Sequence, residues 1–189
     1  MTGADALSRC SWVGNDPEYM RYHDEEWGYP LHGDQNLFEK ISLEAFQSGL
    51  SWITILKRRP AFREVFHGFE IERVANLTPA EVDALMSDDR IIRNRAKIQA
   101  TVANAQAARE LTSGNPGALD ALIWSFARPS ASRPTRDADT PVFTPESIAL
   151  SSELRRLGFR FVGPTTVYAL MQSAGIVDDH ASLCWRATE

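Results

Sequence analysis

At 189 residues, with 43% hydrophobic and 24% charged residues, the chain can bury a sizeable core and has the composition of an ordinary soluble globular protein. A net charge of -5 argues against broad nonspecific binding to nucleic acid, which depends on Lys and Arg, so any phosphate-binding site must be local. No run approaches the roughly 20 apolar residues of a membrane span, the N-terminus lacks an apolar signal core, and no repeat is evident, so one compact cytoplasmic domain over residues 1–189 is expected.

Asp16-Pro17-Glu18 predicts a helix start, with a capping acid and a proline at the first helical position, and the helix should run to about Trp27. Spacings of three and four put Tyr19, Tyr22 and His23 on one side, with Trp27 four residues beyond His23. Such a set suits an aromatic core stripe as well as a stacking wall, and both readings stay open here. Gly28-Tyr29-Pro30 breaks the chain, and Asp34 is expected to cap the next helix.

That next helix places Leu37, Ile41 and Glu44 on one stripe, so a carboxylate stands where the pattern asks for an apolar side chain. An ionised carboxylate without partners costs several kcal/mol away from water. Glu44 is therefore either a solvated acid paired with Lys40 one turn back or a group held for a ligand. Gly49 and Trp52, which follow at once, favour the ligand: a glycine allows close approach, and an indole offers a stacking surface.

After Trp52, residues 53–66 are expected to be helical apart from Pro60, with Lys57, Arg58 and Arg59 as a solvated basic cluster. Thr78-Pro79-Ala80-Glu81 forms a capping box for a short helix to about Met86. A longer helix covers roughly Asn94 to Leu111 and stops at Thr112-Ser113-Gly114-Asn115-Pro116-Gly117, and another spans Ala118 to Phe126. The Pro-, Ser-, Arg- and Asp-rich stretch 128–141 is the one loop long enough to be mobile. Helices from Pro145 to Leu157 and from Pro164 to Ala174 close the pattern, and almost nothing has the alternation of a strand. The expected fold is all-α, with about eight helices or more.

Cys10 and His23 near one end, and His180 and Cys184 one helical turn apart near the other, make a Cys2His2 set. Zinc takes such a set tetrahedrally with no open position, so the metal would be structural and would join the two ends of the chain. Two thiols and two unrelated histidines are the alternative. His32 and His67 have no comparable neighbourhood.

The turn Leu157 to Gly163 between two helices resembles a helix-hairpin-helix element, which offers backbone N–H groups at a helix N-terminus to a DNA phosphate. Gly163, Thr165 and Thr166 are the candidate contacts. An ordinary turn between two helices would have the same form.

Cys10-x-Trp12, Tyr22-His23-Asp24-x-Glu26-Trp27-Gly28, Leu43-Glu44 followed by Gly49-Leu50-Ser51-Trp52-Ile53, then Ile91-Ile92-Arg93, Lys97-Ile98, Phe159-x-Phe161-Val162-Gly163 and Asp179-His180 form a combination spread over nearly the whole chain. Together they resemble the bacterial 3-methyladenine DNA glycosylase I family of the helix-hairpin-helix superfamily. The resemblance implies a monofunctional enzyme that removes N3-methylated adenine from double-stranded alkylated DNA and carries one structural Zn2+; a monomer is expected. It implies Cys10, His23, His180 and Cys184 as zinc ligands and Trp12, Tyr19, Tyr22, Glu44 and Trp52, with Trp27 beside them, as the pocket for the 3-methyladenine base.

Lyase members of the superfamily carry a lysine two residues after the hairpin glycine; here that residue is Thr165, so no strand cleavage is expected. Many superfamily members carry a catalytic aspartate in Val-Asp-x-His, whereas the closest family usually has Val-Asn-Asp-His. Val177-Asp178-Asp179-His180 departs toward the wider pattern, which makes Asp178 a second catalytic candidate beside Glu44. Two other classes compete: a noncatalytic binder of damaged DNA or purine bases with the same pocket, and a zinc hydrolase. The full ligand set speaks against the hydrolase, and release of a base separates enzyme from binder.

Overall fold

The structure, a computed structural model, describes residues 7–127 and 133–188. Among them there is no strand, and ten α-helices follow one another. These are α1 (Pro17–Glu25), α2 (Asp34–Gln47), α3 (Trp52–Leu56), α4 (Arg59–Val65), α5 (Ile71–Ala75), α6 (Pro79–Leu85), α7 (Arg95–Thr112), α8 (Ala118–Trp124), α9 (Pro145–Arg156) and α10 (Pro164–Ser173). Short 3-10 turns add to them, among them Ser11–Val13 and Asp137–Asp139.

The capping chemistry works largely as its residues dictate. Asp16 accepts from the backbone N–H groups of Glu18 and Tyr19 at the start of α1. Thr78 and Glu81 close a reciprocal box on α6, and the Asn94 side chain caps α7. Pro60 splits the expected 53–66 helix, since proline lacks the N–H a continuous helix needs and sits in the first turn of α4 instead. At α2 the expectation is corrected. Gly33, with φ 96°, is the N-cap, and Asp34 reaches across to accept from the N–H groups of Gly117 and Asp120, so it caps α8 rather than its own helix.

α2 is the centre of the molecule and packs against α3, α7, α8 and α10. Leu37, Phe38, Lys40, Ile41, Ser42, Leu43, Glu44, Ala45 and Phe46 are all buried, far more than one stripe. Phe46 of α2 leans on Phe62 at 4.6 Å between centroids, and Phe62, Phe66 and Phe69 stack onward from there at 6.3 and 5.5 Å. Each such ring contributes about 1.5–3 kcal/mol of burial free energy, which holds α2 firmly enough to keep two charged residues, Lys40 and Glu44, inside.

The hairpin between α9 and α10 is built by a C-terminal glycine and by a helix at its back. Gly158, with φ 96°, lets Phe159 N–H bond back to the Leu154 carbonyl. Phe161 takes φ 55°, an uncommon conformation for a side chain, and the hairpin is pinned from outside. Asn104 of α7, fully buried, donates to the Arg160 carbonyl and accepts from its N–H, while Ser151 donates to the Val162 carbonyl.

Candidate active site

Glu44 is 4% exposed. Its Oε1 accepts from the Ser173 hydroxyl of α10 at 3.0 Å, whereas Oε2 is buried with no hydrogen-bond donor among the described residues. Burial pushes its carboxyl up to about 7, against the opposing pull of Lys40 and the Ser173 hydrogen bond. An acid in this state awaits a donor or a cation.

The space it faces is a cavity of about 220 Å³. Trp12, Tyr19, Tyr22, Trp27, Glu44 and Trp52 all line it, so six residues from four parts of the chain converge on one site. Their rings lean on one another: Trp12 to Tyr19 at 4.9 Å, Trp12 to Trp27 at 5.1 Å and Tyr22 to Trp52 at 5.4 Å between centroids. Burial, then the nearby Glu44, raises the Tyr19 phenol to about 12 and Tyr22 well above its usual value, so both rings stay neutral. Trp52 Nε1, like Glu44 Oε2, is buried without a partner among the described residues. A pocket of neutral, electron-rich rings around a carboxylate suits a flat cationic heterocycle.

Cys10, His23, His180 and Cys184 gather behind this wall, all buried, with one ligand atom of each within 4.8 Å of the others. Cys184 Sγ lies 3.4 Å from His23 Nε2 and 3.6 Å from His180 Nδ1, and Cys10 Sγ lies 3.8 Å from His180 Nδ1. Thiolate and imidazole ligands around one tetrahedral ion stand about 3.6 Å apart, given usual metal–sulfur and metal–nitrogen lengths. The donors therefore fit a metal ion. Outer partners orient both imidazoles: His23 Nδ1 bonds Asp24 at 2.8 Å and His180 Nε2 bonds the Trp27 carbonyl at 3.3 Å, which leaves the opposite nitrogens for the ion. Asp24 is held in turn by Arg9 and by Trp185 Nε1. Burial lowers His23, and lowers His180 to about 4, so both rings are neutral ligands at physiological pH. Gly28 is required here because a Cβ on it would meet His180 Nε2 at 2.8 Å. Trp27 and Trp12 pack on the ligand histidines, with Trp27 edge-on to His180 at 4.5 Å, so the cluster also supports the cavity wall.

A methyladenine glycosylase family model matches residues 12–187. The chain belongs to this family. It is 45% identical to the DNA-3-methyladenine glycosylase of Haemophilus influenzae, over 94% of this chain and 96% of that one, and 43% identical to DNA-3-methyladenine glycosylase 1 of Escherichia coli with the same coverage. A crystal structure of a 3-methyladenine DNA glycosylase I superposes with a TM-score of 0.90 at 42% identity, covering 94% of this chain and 98% of the other.

Within the family frame the remaining residues fall into place unequally. Thr165 and Thr166, at the start of α10, line a groove with Ser48, Gly49 and Leu50 that shares Glu44, Gln47 and Ala169 with the base cavity. Gly163 is the N-cap of α10, and Pro164 follows it. Asp178 is not part of the cavity wall. Its carboxylate pairs with Arg133 and accepts from the His180 N–H. Asp179 is the residue that lines the cavity, its Oδ2 held by the Tyr168 hydroxyl at 2.6 Å and by Gln172 at 2.8 Å.

Ser173, Gln172, Asp179 and the segment after residue 132 escaped sequence reasoning. Of the expected 128–141 loop, residues 128–132 lie outside the described residues. The rest is tied down: Pro134 accepts from the Ser182 N–H, Asp137 accepts from the Ser11 N–H, and Asp137 and Thr140 join the cavity wall. Arg59, expected in solvent, is instead buried in a two-pronged pair with Glu26.

Proposed function

We propose that this chain is a DNA repair glycosylase that flips N3-methyladenine out of alkylated duplex DNA into the aromatic cavity and hydrolyses its N-glycosidic bond. The observation that carries this is the buried Glu44 with one oxygen unpaired, enclosed by Trp12, Tyr19, Tyr22, Trp27 and Trp52. Relatives bearing the activity's name cover nearly the whole chain.

N3-methylated adenine in DNA is a cation, so stacking on these rings gains a cation–π term of about 0.5–2 kcal/mol, and the carboxylate adds charge attraction. Glu44 accepts a hydrogen bond from the flipped base's edge, which ends the isolation of Oε2. The methylated base already leaves well. The C1′–N bond breaks with its electron pair going to the base, water adds to C1′, and one proton is released, giving neutral 3-methyladenine and an abasic sugar. No acid need protonate the base, so placement and electrostatics carry the rate. Charge developing on the sugar is met by the carboxylates at the cavity, Glu44 and Asp179, while Asp178, tied to Arg133 outside the wall, takes part only if that pair opens.

DNA is gripped mainly without formal charge. The N–H groups of Gly163, Thr165 and Thr166 at the start of α10, where Pro164 has none to offer, receive a phosphate. Leu50, 41% exposed at the tip of the Ser48–Leu50 turn, fills the stack where the base has left. Thr165 has no amine for a Schiff base, so the strand stays intact. The Cys2His2 cluster holds one Zn2+, which supplies structure alone because all four positions are filled by protein. Cavity and cluster are each complete within one chain, which supports a monomeric, single-domain enzyme over residues 1–189. Two unbridged cysteines suit a reducing cytoplasm, and no helix among the described residues is long and apolar enough to cross a membrane.

Incubation with methylated duplex DNA, followed by chromatography of the released bases, tests the proposal. Free 3-methyladenine in catalytic excess over enzyme is expected. Tight binding of the DNA with no base released would leave a binder in place of the enzyme.

A further inference from the structure

Lys40 stands one turn before Glu44 on α2 and is 8% exposed, a depth at which lysine is rare without a purpose. Its Nζ makes no hydrogen bond among the described residues. It lies instead 5.3 Å from the centroid of the Tyr22 ring and 5.6 Å from that of Trp52, two walls of the base cavity. Lys40 lines a second cavity of about 220 Å³ that shares Ser173 with the first. The other cations there are already engaged, Arg59 with Glu26 and Arg63 with Glu39. Glu44 is the buried acid left one turn away.

We propose that Lys40 is a positioning residue that keeps Glu44 charged inside the base cavity, so that the site favours a cationic base over a neutral one at physiological pH. The inference rests on Glu44 being the carboxylate that recognises the base. Burial drives Glu44 toward its protonated form, and a protonated acid attracts a cationic lesion no more than it attracts normal adenine. Lys40 is the strongest influence in the opposite direction, ahead of the Ser173 hydrogen bond, and although burial lowers the pKa of Lys40 itself, Glu44 is the first group to oppose that loss of charge. The groups facing Glu44 from elsewhere do not replace it. From α1 come the neutral phenols Tyr19 and Tyr22, while the charge of Glu26, just past the end of α1, is met by Arg59 of α4. α3 contributes Trp52, and α10 contributes Ser173. Lys97 of α7 is spent on the carbonyls of Phe46 and Ser48, and Asp137 and Asp179 in the cavity wall are acids that offer no cation in place of Lys40. A cation behind Tyr22 and Trp52 also repels the lesion slightly, so removing it harms the site only where Glu44 loses its charge. That gives Lys40 a pH signature that packing alone does not produce.

The test is kcat/KM for base release from methylated DNA between pH 5.5 and 9, whose acid limb reports ionisation in the free enzyme. Lys40→Met is expected to move that limb up by about one pH unit, a roughly tenfold loss at pH 6 that disappears at pH 9. Lys40→Arg should keep the parent's limb. An unmoved limb in Lys40→Met, even with activity lowered equally at every pH, overturns the proposal and leaves Lys40 a packing residue. Should Lys40→Met not fold, Lys40→Gln carries the same expectation, and carbon NMR titration of the Glu44 carboxyl must show the same upward shift without recourse to activity. Glu44→Gln separates the two layers of argument: loss of activity there with an unmoved Lys40→Met limb defeats the Lys40 inference alone, whereas full activity in Glu44→Gln defeats the reading of Glu44 and the inference with it.

Discussion

Glu44 should make the free protein less stable than it could be, and the cost is calculable. Its carboxyl titrates near 4.5 when unfolded and at about 7 when folded, so between those values the folded state holds the proton more tightly. For an acid raised on folding, stability is fully present below about pH 4.5 and is lost as pH rises through about 7. At 1.36 kcal/mol per pH unit, the loss above pH 7 is about 3 kcal/mol. Glu44→Gln and Glu44→Leu carry no ionising group and escape it, although Lys40 then loses its partner, which offsets part of the gain. Ser173, deprived of the carboxylate in Glu44→Leu, still donates to the Leu170 carbonyl. The net expectation is about 1–3 kcal/mol of added stability at pH 8, a rise in Tm of roughly 2–12 °C, fading toward pH 4.5. Thermal unfolding of parent and variants across pH 4.5–8.5 measures this. A Glu44→Leu protein that melts below the parent at pH 8, or a difference that ignores pH, would refute the argument and make Glu44 a structural acid.

Metal analysis after dialysis should find one zinc per chain, and Cys10→Ser should melt markedly lower, because a structural site contributes its binding free energy to folding; well under one equivalent, with unchanged melting, would remove the clasp from the account. Borohydride trapping on abasic DNA should yield no covalent adduct, as Thr165 offers no amine; an adduct at the level of a bifunctional glycosylase would overturn the reading of the hairpin. Asn104→Ala strands two backbone groups of Arg160 and should cost about 2–3 kcal/mol in denaturant unfolding while weakening DNA binding; unchanged stability would show that the hairpin holds its shape unaided.

Periodicity and caps were legible because they are local. Asp16 and Thr78 cap the helices their positions indicate. The carboxylate at Glu44 stood out because it interrupts an apolar stripe, and the paired Cys and His residues because few other arrangements explain them. What stayed hidden depends on partners far along the chain. Asp34 looks like a cap for its own helix, and only packing of α8 beside α2 turns it outward to Gly117 and Asp120. Arg59 belongs to a basic run until Glu26, 33 residues away, draws it inside. Between Asp178 and Asp179 no sequence pattern decides which faces the cavity; the turn after α10 does, committing one to Arg133 and the other to Tyr168. Lys40 reads as a surface partner of Glu44, and its burial comes from α2 being enclosed all round rather than along one face.

The central claim is that Glu44 recognises the methylated base, and calorimetric titration of 3-methyladenine into the parent and into Glu44→Gln tests it most directly. The substitution preserves shape and removes the charge and one acceptor, so affinity should fall by about 1.5–3 kcal/mol, roughly 10- to 150-fold, the range for a hydrogen bond to a charged group. Equal affinity in the two proteins would contradict the account.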